Sequence, residues 1–148
     1  SDLKSVNITE VVTSLLKEYI QNSKRASEQL DIRLPHGNIW ILAQEKILIR
    51  ILCNLIDNAL KYSTGDIMFY MWGESEYCHI QISNPSDYIS DEELKSIFDL
   101  FYTKDEARTK SSGIGLYATR KLVIQISGDI QVNYEAGIFT VSIKLPLI

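Results

Sequence analysis

Residues 52–63 read LCNLIDNALKYS, and the assignment of this stretch decides the fold. At about 100° per residue, Leu48, Ile51, Leu52, Leu55, Ile56, Ala59 and Leu60 fall on one half of a helix, and Arg50, Asn54, Asp57, Asn58 and Lys61 on the other. The pattern predicts an amphipathic helix from about Gln44 to Lys61, stopped by the turn signal at Ser63, Thr64 and Gly65. A polar stripe on a helix is ordinarily a wetted surface. Such stripes are rich in Lys and Glu, however, because asparagine is a poorer helix former and gains nothing from exposure in a helix interior. Two asparagines one turn apart, with a lysine behind them, leave two readings open: a solvated face and a ligand site.

The ligand reading has a definite chemistry. A neutral amide oxygen is a hard donor suited to Mg²⁺, which takes only one or two protein ligands when phosphates supply the rest. Asn58 fits that role, and Lys61, about one turn further along the same face, meets a phosphate as a point charge.

Outward from this helix, the rest of the chain sorts by period. Asn7 with Glu10 is a capping-box-like start for a helix from about Ile8 to about Glu28, carried by Val11, Val12, Leu15, Leu16, Tyr19 and Ile20. LDIRLP and IWILA, separated by the turn HGN, read as two strands that pair as a sheet edge or hairpin. DIMFYMWGE and EYCHIQIS read as two more, joined at residues 74–76, and NPSDYIS as loop. EELKSIFDLF is a short helix, FYTKDEARTKSSG an aperiodic charged loop, and GIGLYATRKLVIQIS a third long helix. The end alternates around Ala136 and Gly137 as a final hairpin. Helices interleave with strands and hairpins outnumber crossovers. This predicts an α+β fold, a two-layer α/β sandwich whose mixed, mostly antiparallel sheet is covered on one face by helices.

At 148 residues and 45% hydrophobic content, without repeats or linkers, the chain is expected to be a single domain spanning 1–148. Fifteen Lys and Arg against 19 Asp and Glu leave none of the basic excess that drives non-specific nucleic-acid binding, so nucleic acid is not an expected partner. Cys53 and Cys78 lack paired zinc-site spacing and lie in apolar segments, which fits a reduced, cytoplasmic compartment. No apolar run approaches the roughly 18 residues that cross a bilayer, so no direct membrane contact is expected from this chain. It opens without an initiator Met and is expected to be a segment of a longer protein, one that could itself be membrane-anchored.

SSGIGLYATRKLV, residues 111–123, supplies a second signal. Gly113 and Gly115 let the backbone approach a polyphosphate closely, and the unpaired N–H groups of the first helical turn, near Leu116, present the positive end of the helix dipole. A lone GxG is weak, since many helices begin after glycine as punctuation. Lys104, Arg108 and Lys110, shortly before the glycines, strengthen it as a basic lid over phosphates.

In order and spacing these motifs resemble the catalytic, ATP-binding domain of sensor histidine kinases, a branch of the Bergerat-type ATPase superfamily that includes gyrase, MutL and the heat-shock chaperone ATPases. LCNLIDNALKYS is similar to the N box, IFDLF to the F box, and SSGIGLYATRKLV to the second glycine box. The resemblance implies that Asn58 is the Mg²⁺ ligand, Asn54 its partner near the phosphates, Lys61 the phosphate-contacting lysine and Tyr62 the aromatic beside the nucleotide. It also implies ATP contacts from Ile89, Lys104, Gly113, Ile114, Gly115 and Leu116, with Ser111 standing where the longer GxGxG pattern has its first glycine. Phe98 and Phe101 match the F box, although ordinary core aromatics have the same spacing.

One box departs from the pattern. The aspartate of the family's DxGxG falls at Asn84, and its glycines at Ser86 and Tyr88. Asn84 still offers an oxygen to an adenine amino group, but a charge-assisted contact becomes a neutral one, and weaker adenine recognition is expected. Pro85 is expected to stiffen this loop and Tyr88 to cover the base pocket.

The superfamily's hydrolytic branches begin the N box with a glutamate that activates water; this chain has Asn54 there, so the γ-phosphate is reserved for another acceptor. In the resembled kinases that acceptor is a histidine on a separate dimerisation domain, through which they form homodimers, and the phosphate passes on to a response regulator. His36 in a turn and His79 in a strand do not resemble it. The expected function is transfer from Mg-ATP to a histidine outside this chain. The alternative is a degenerate nucleotide-binding or protein-interaction module without kinase activity; a serine kinase of the anti-sigma type is disfavoured by FYTK and the Lys61–Tyr62 pair.

Overall fold

The computed structural model describes residues 2–100 and 115–148. Helix α1 (Ile8–Asn22) starts as expected, the Asn7 side chain accepting from the Glu10 N–H at 3.1 Å. It buries Ile8, Val12 and Leu16, one turn apart. The single helix expected to run to Glu28 is instead two. Ser23 takes an extended conformation (φ −133°, ψ 115°), and its hydroxyl accepts from the Ala26 N–H at 3.1 Å, starting α2 (Lys24–Gln29). Serine competes with the helix for backbone hydrogen bonds, and here the competition ends one helix and caps the next.

The expected hairpin of the first two recognised strands is also corrected. Strand β1 (Lys4–Asn7), which carries one apolar residue and gave no strand signal, pairs antiparallel with β3 (Trp40–Ala43) in a two-stranded sheet. β2 (Leu30–Arg33) pairs instead in parallel with β4 (Ile67–Glu74), in the register Leu30↔Ile67. Alternation identifies a strand without naming its partner, and Pro35, which has no N–H to donate, stands where a β2–β3 ladder would have to close.

The decisive helix forms as predicted: α3 spans Glu45–Tyr62 and buries Leu48, Ile51, Leu52, Leu55, Ile56 and Ala59. β4 turns into β5 (Tyr77–Pro85) with Ser75 at φ 58°. The helical part of EELKSIFDLF is only α4 (Asp91–Lys95), opened by a capping box between Ser90 and Glu93. α5 (Tyr117–Gln125) is shorter than expected, and β6 (Asp129–Glu135) and β7 (Ile138–Pro146) form the last hairpin. Its turn residues Ala136 and Gly137 both have positive φ, 53° and 79°, matching the right-handed twist of the flanking strands.

The main sheet has the order β2-β4-β5-β7-β6, with only the β2–β4 pair parallel. Phe69 and Met71, Ile80 and Ile82, and Val141 and Ile143 alternate inward. They share one core cluster with the apolar half of α3 and with Val123 of α5. The result is the expected mixed sheet with helices on one face. α5 approaches the sheet closely at its end: a Cβ on Gly128 would lie 2.8 Å from the Lys144 carbonyl oxygen. Among the described residues no helix is long and apolar enough to cross a membrane.

Candidate functional site

The half of α3 that faces away from the core meets the start of α5. Asn54, Asp57, Asn58 and Lys61 from α3 and Gly115, Leu116, Ala118 and Thr119 from around the α5 start line one cleft of about 280 Å³. The two sequence signals therefore converge. Leu116 precedes the first turn of α5 and has no side-chain cap of its own. Its N–H is held by the Ile97 carbonyl at 2.8 Å, and its carbonyl accepts from the Arg120 N–H at 2.9 Å. The N–H groups of Tyr117, Ala118 and Thr119 come before that first intrahelical bond, at the positive end of the helix. The cleft therefore has the positive end of α5 on one wall and Lys61 on the other, with the Asp57 carboxylate also in its lining.

The two walls are tied together. The Asn54 amide nitrogen donates to Thr119 Oγ1 at 3.4 Å. Lys61 is exposed, with Nζ 5.3 Å from the centre of the Tyr62 ring. Asp57 accepts from the Tyr19 hydroxyl at 2.6 Å, anchoring α3 to α1; burial and this bond hold the phenol above its usual range. Thr119, in the first turn of α5, joins the cleft without a signal in the sequence, since a lone threonine inside a helix has no distinctive pattern.

A second cavity adjoins the first through Asn58. Tyr62, Asn84, Ser86, Ile82 and Phe139 help to line it. Its free volume is about 10 Å³, room for about one water and not for a purine unless its walls move. Asn84 is 3% exposed, and its amide nitrogen donates to the Pro85 carbonyl at 3.0 Å, which leaves Oδ1 as the atom able to accept. The same carbonyl accepts from the Thr64 N–H at 2.9 Å, so the segment after β5 is stitched to the end of α3.

Ile89 is buried in the core and is not part of this cavity wall. Tyr88, expected over the base pocket, is 73% exposed and meets the Tyr134 ring edge-on at 6.2 Å. It follows the end of β5 and packs beside Tyr134 of the last hairpin. Ile97 of the F-box stretch is buried, and Phe98 lies under the Arg120 guanidinium at 5.4 Å. Phe101, Lys104, Arg108, Lys110, Ser111, Gly113 and Ile114 lie outside the described residues.

For Mg²⁺, the cleft lining includes the Asn54 and Asn58 carboxamides and the Asp57 carboxylate, and the described residues contain no group of three or more His, Cys, Asp or Glu side chains able to cage a metal. That donor set fits an ion that receives most of its ligands from phosphates and water, and does not fit one held by protein alone.

Known proteins resemble this chain in sequence and in fold. Over 99% of its length the chain is 27% identical to the sensor protein RprX of Bacteroides fragilis, of which it spans 30%. It is also 27% identical to the sensor histidine kinase YcbM of Bacillus subtilis, over 96% of the chain and 48% of that protein. The chain thus spans less than half the length of these relatives. Its fold superposes on the nucleotide-free catalytic domain of histidine kinase ThkA with a TM-score of 0.82 at 18% identity, covering 99% of this chain and 98% of that one. The mycobacterial sensor histidine kinase MprB gives 0.79 at 20% identity, covering 98% and 97%. Residues 43–148 match the family described as histidine kinase-, DNA gyrase B-, and HSP90-like ATPase, and the chain belongs to that family.

Proposed function

We propose that this chain is the catalytic domain of a sensor histidine kinase, binding Mg-ATP and presenting its γ-phosphate to a histidine on a dimerisation domain outside the chain. The observation that carries the reading is the single cleft shared by Asn54, Asn58 and Lys61 of α3 and by Gly115, Leu116 and Thr119 at the α5 start. Lys61 and the helix N-terminus draw the triphosphate, and the Asn58 carboxamide gives a bound Mg²⁺ its protein oxygen. The metal, when bound, neutralises phosphate charge that the protein's cationic groups do not reach. Asn84 Oδ1 accepts from a purine 6-amino group, and Tyr62 flanks the base once the cavity opens. With Asn54 where the hydrolytic relatives carry a glutamate, that position supplies no general base for water, so the phosphate waits for its histidine.

The whole protein is read as a homodimer that passes phosphate to a response regulator. A complex of histidine kinase ThkA with the response regulator protein TrrA, whose kinase this fold matches at a TM-score of 0.78 and 16% identity, supports that partner class.

The nearly closed base cavity and the uncharged Asn84 favour a second reading, a regulatory module without kinase activity. Mixing the chain with its native dimerisation domain and labelled ATP separates the two. Acid-labile phosphate on histidine is expected. Mg-dependent ATP binding without transfer supports the second reading, and no binding at millimolar nucleotide removes the first.

A further inference from the structure

We infer that Arg25 is a positioning residue for the nucleotide site, holding in place the end of α3 that carries Lys61 and Tyr62. The inference rests on the ATP-binding reading above and adds a residue to it from a different part of the chain.

The last carbonyls of a helix lack intrahelical partners. At the end of α3 the Ser63 N–H bonds to the Ala59 carbonyl at 2.9 Å, which leaves those that follow to find other donors. Arg25 supplies two of them. Its Nη1 donates to the Leu60 carbonyl, and its Nη2 to the Ser63 carbonyl at 2.6 Å. Its Nε donates to Gln29 Oε1 at 2.7 Å, one turn along α2, which fixes the plane of the guanidinium. The two carbonyls bracket Lys61 and Tyr62 in sequence, so the rigid fork sets the backbone of the residues that meet phosphate and base. A cation at this helix end is also favoured by the dipole.

The hydrogen bonds continue from there toward the base. Ser63 Oγ donates to the Gly65 carbonyl at 2.5 Å, and the Gly65 N–H returns to Ser63 Oγ at 3.1 Å. The Thr64 N–H reaches the Pro85 carbonyl, which is also the acceptor for the Asn84 amide. The break at Ser23 makes this possible: it starts α2 separately from α1, and α2 carries both Arg25 and the Gln29 that orients it. Without the guanidinium, two carbonyls at a half-buried helix end lose their donors, and the segment from Lys61 to Gly65 loosens.

The test uses the whole chain with Arg25→Ala, Arg25→Lys and, as a control for stability, Ile130→Ala in β6. Mg-ATP affinity is measured at a temperature where every variant is folded. Arg25→Ala is expected to weaken binding about tenfold, Arg25→Lys to recover part of that because one ammonium meets one carbonyl, and Ile130→Ala to stay within about twofold of the parent. Unchanged affinity in Arg25→Ala, or an equal loss in Ile130→Ala, overturns the role. Amide hydrogen exchange gives a readout independent of nucleotide. Arg25→Ala should speed exchange at Ser63 and Thr64 more than elsewhere, and uniform or absent change overturns the inference. If the parent chain binds no nucleotide while the exchange result holds, the ATP reading fails and the clamp survives.

Discussion

The Asn54 side chain donates to Thr119 Oγ1 across 3.4 Å, and this contact joins the two helices that frame the cleft. Thr119 is 4% exposed, so its hydroxyl has little access to water and serves to orient the amide. Thr119→Val keeps the shape and removes the acceptor. At this length the bond is worth about 0.5–1 kcal/mol, so phosphotransfer to the dimerisation domain should slow about two- to fivefold with the melting temperature lowered by no more than about 4 °C. An unaltered rate means that Asn54 acts without Thr119.

Asn58 borders both the cleft between α3 and α5 and the smaller cavity beside Asn84. On the proposed role of its carboxamide as the metal's protein oxygen, Asn58→Ala should remove the Mg²⁺ dependence of ATP binding and leave metal-free binding within about twofold. Calorimetry with Mg²⁺ and with chelator checks this. A variant that still binds tighter with Mg²⁺ places the metal on other residues.

Asn84→Asp should move affinity and stability in opposite directions. A carboxylate accepts from the adenine amino group with charge assistance, which is worth about 1 kcal/mol more than the neutral bond, or about fivefold in ATP affinity. The ionised side chain cannot donate to the Pro85 carbonyl, and two oxygens then face each other at a 3% exposed position. The unliganded protein should lose about 1–3 kcal/mol. Thermal denaturation with and without ATP reads both. Affinity that fails to rise removes Asn84 from the adenine contact.

Much of this was legible in the chain because periodicity reports burial directly. Leu48 through Ala59 fall inside as their spacing requires, and the same spacing leaves Asn54, Asn58 and Lys61 together outside. Alternation likewise identified β4, β5, β6 and β7. Partner choice was not legible: LDIR and WILA each read as strands, yet they join different sheets, because a four-residue pattern carries no information about which edge receives it. Nor was the division of α1 from α2, where one serine hydroxyl outweighs an otherwise helical sequence. Arg25 gave no signal because its partners on α3 are backbone carbonyls, which every residue has.

Cys78 gives a prediction in pH. Its side chain is fully buried in β5, and burial pushes the thiol from its ordinary 9.0 up to about 12. Well below about pH 9 the native and unfolded chains both keep the proton, and this residue makes no pH dependence. Between about 9 and 12 the unfolded chain loses it while the native chain does not. Unfolding is then favoured by about 1.4 kcal/mol for each pH unit. Tyr19, also held above its usual range by burial and by Asp57, acts in the same direction only once unfolded tyrosine ionises near pH 10. Urea denaturation of the parent and of Cys78→Val at pH 8, 9 and 10 therefore isolates the thiol. The parent should lose about 1 kcal/mol more than the variant from pH 9 to 10, and only about 0.4 kcal/mol more from 8 to 9. Parallel behaviour over the whole range would mean that the thiol ionises inside the folded sheet, where no cation faces it across the β4 and β7 neighbours Gly73 and Leu145.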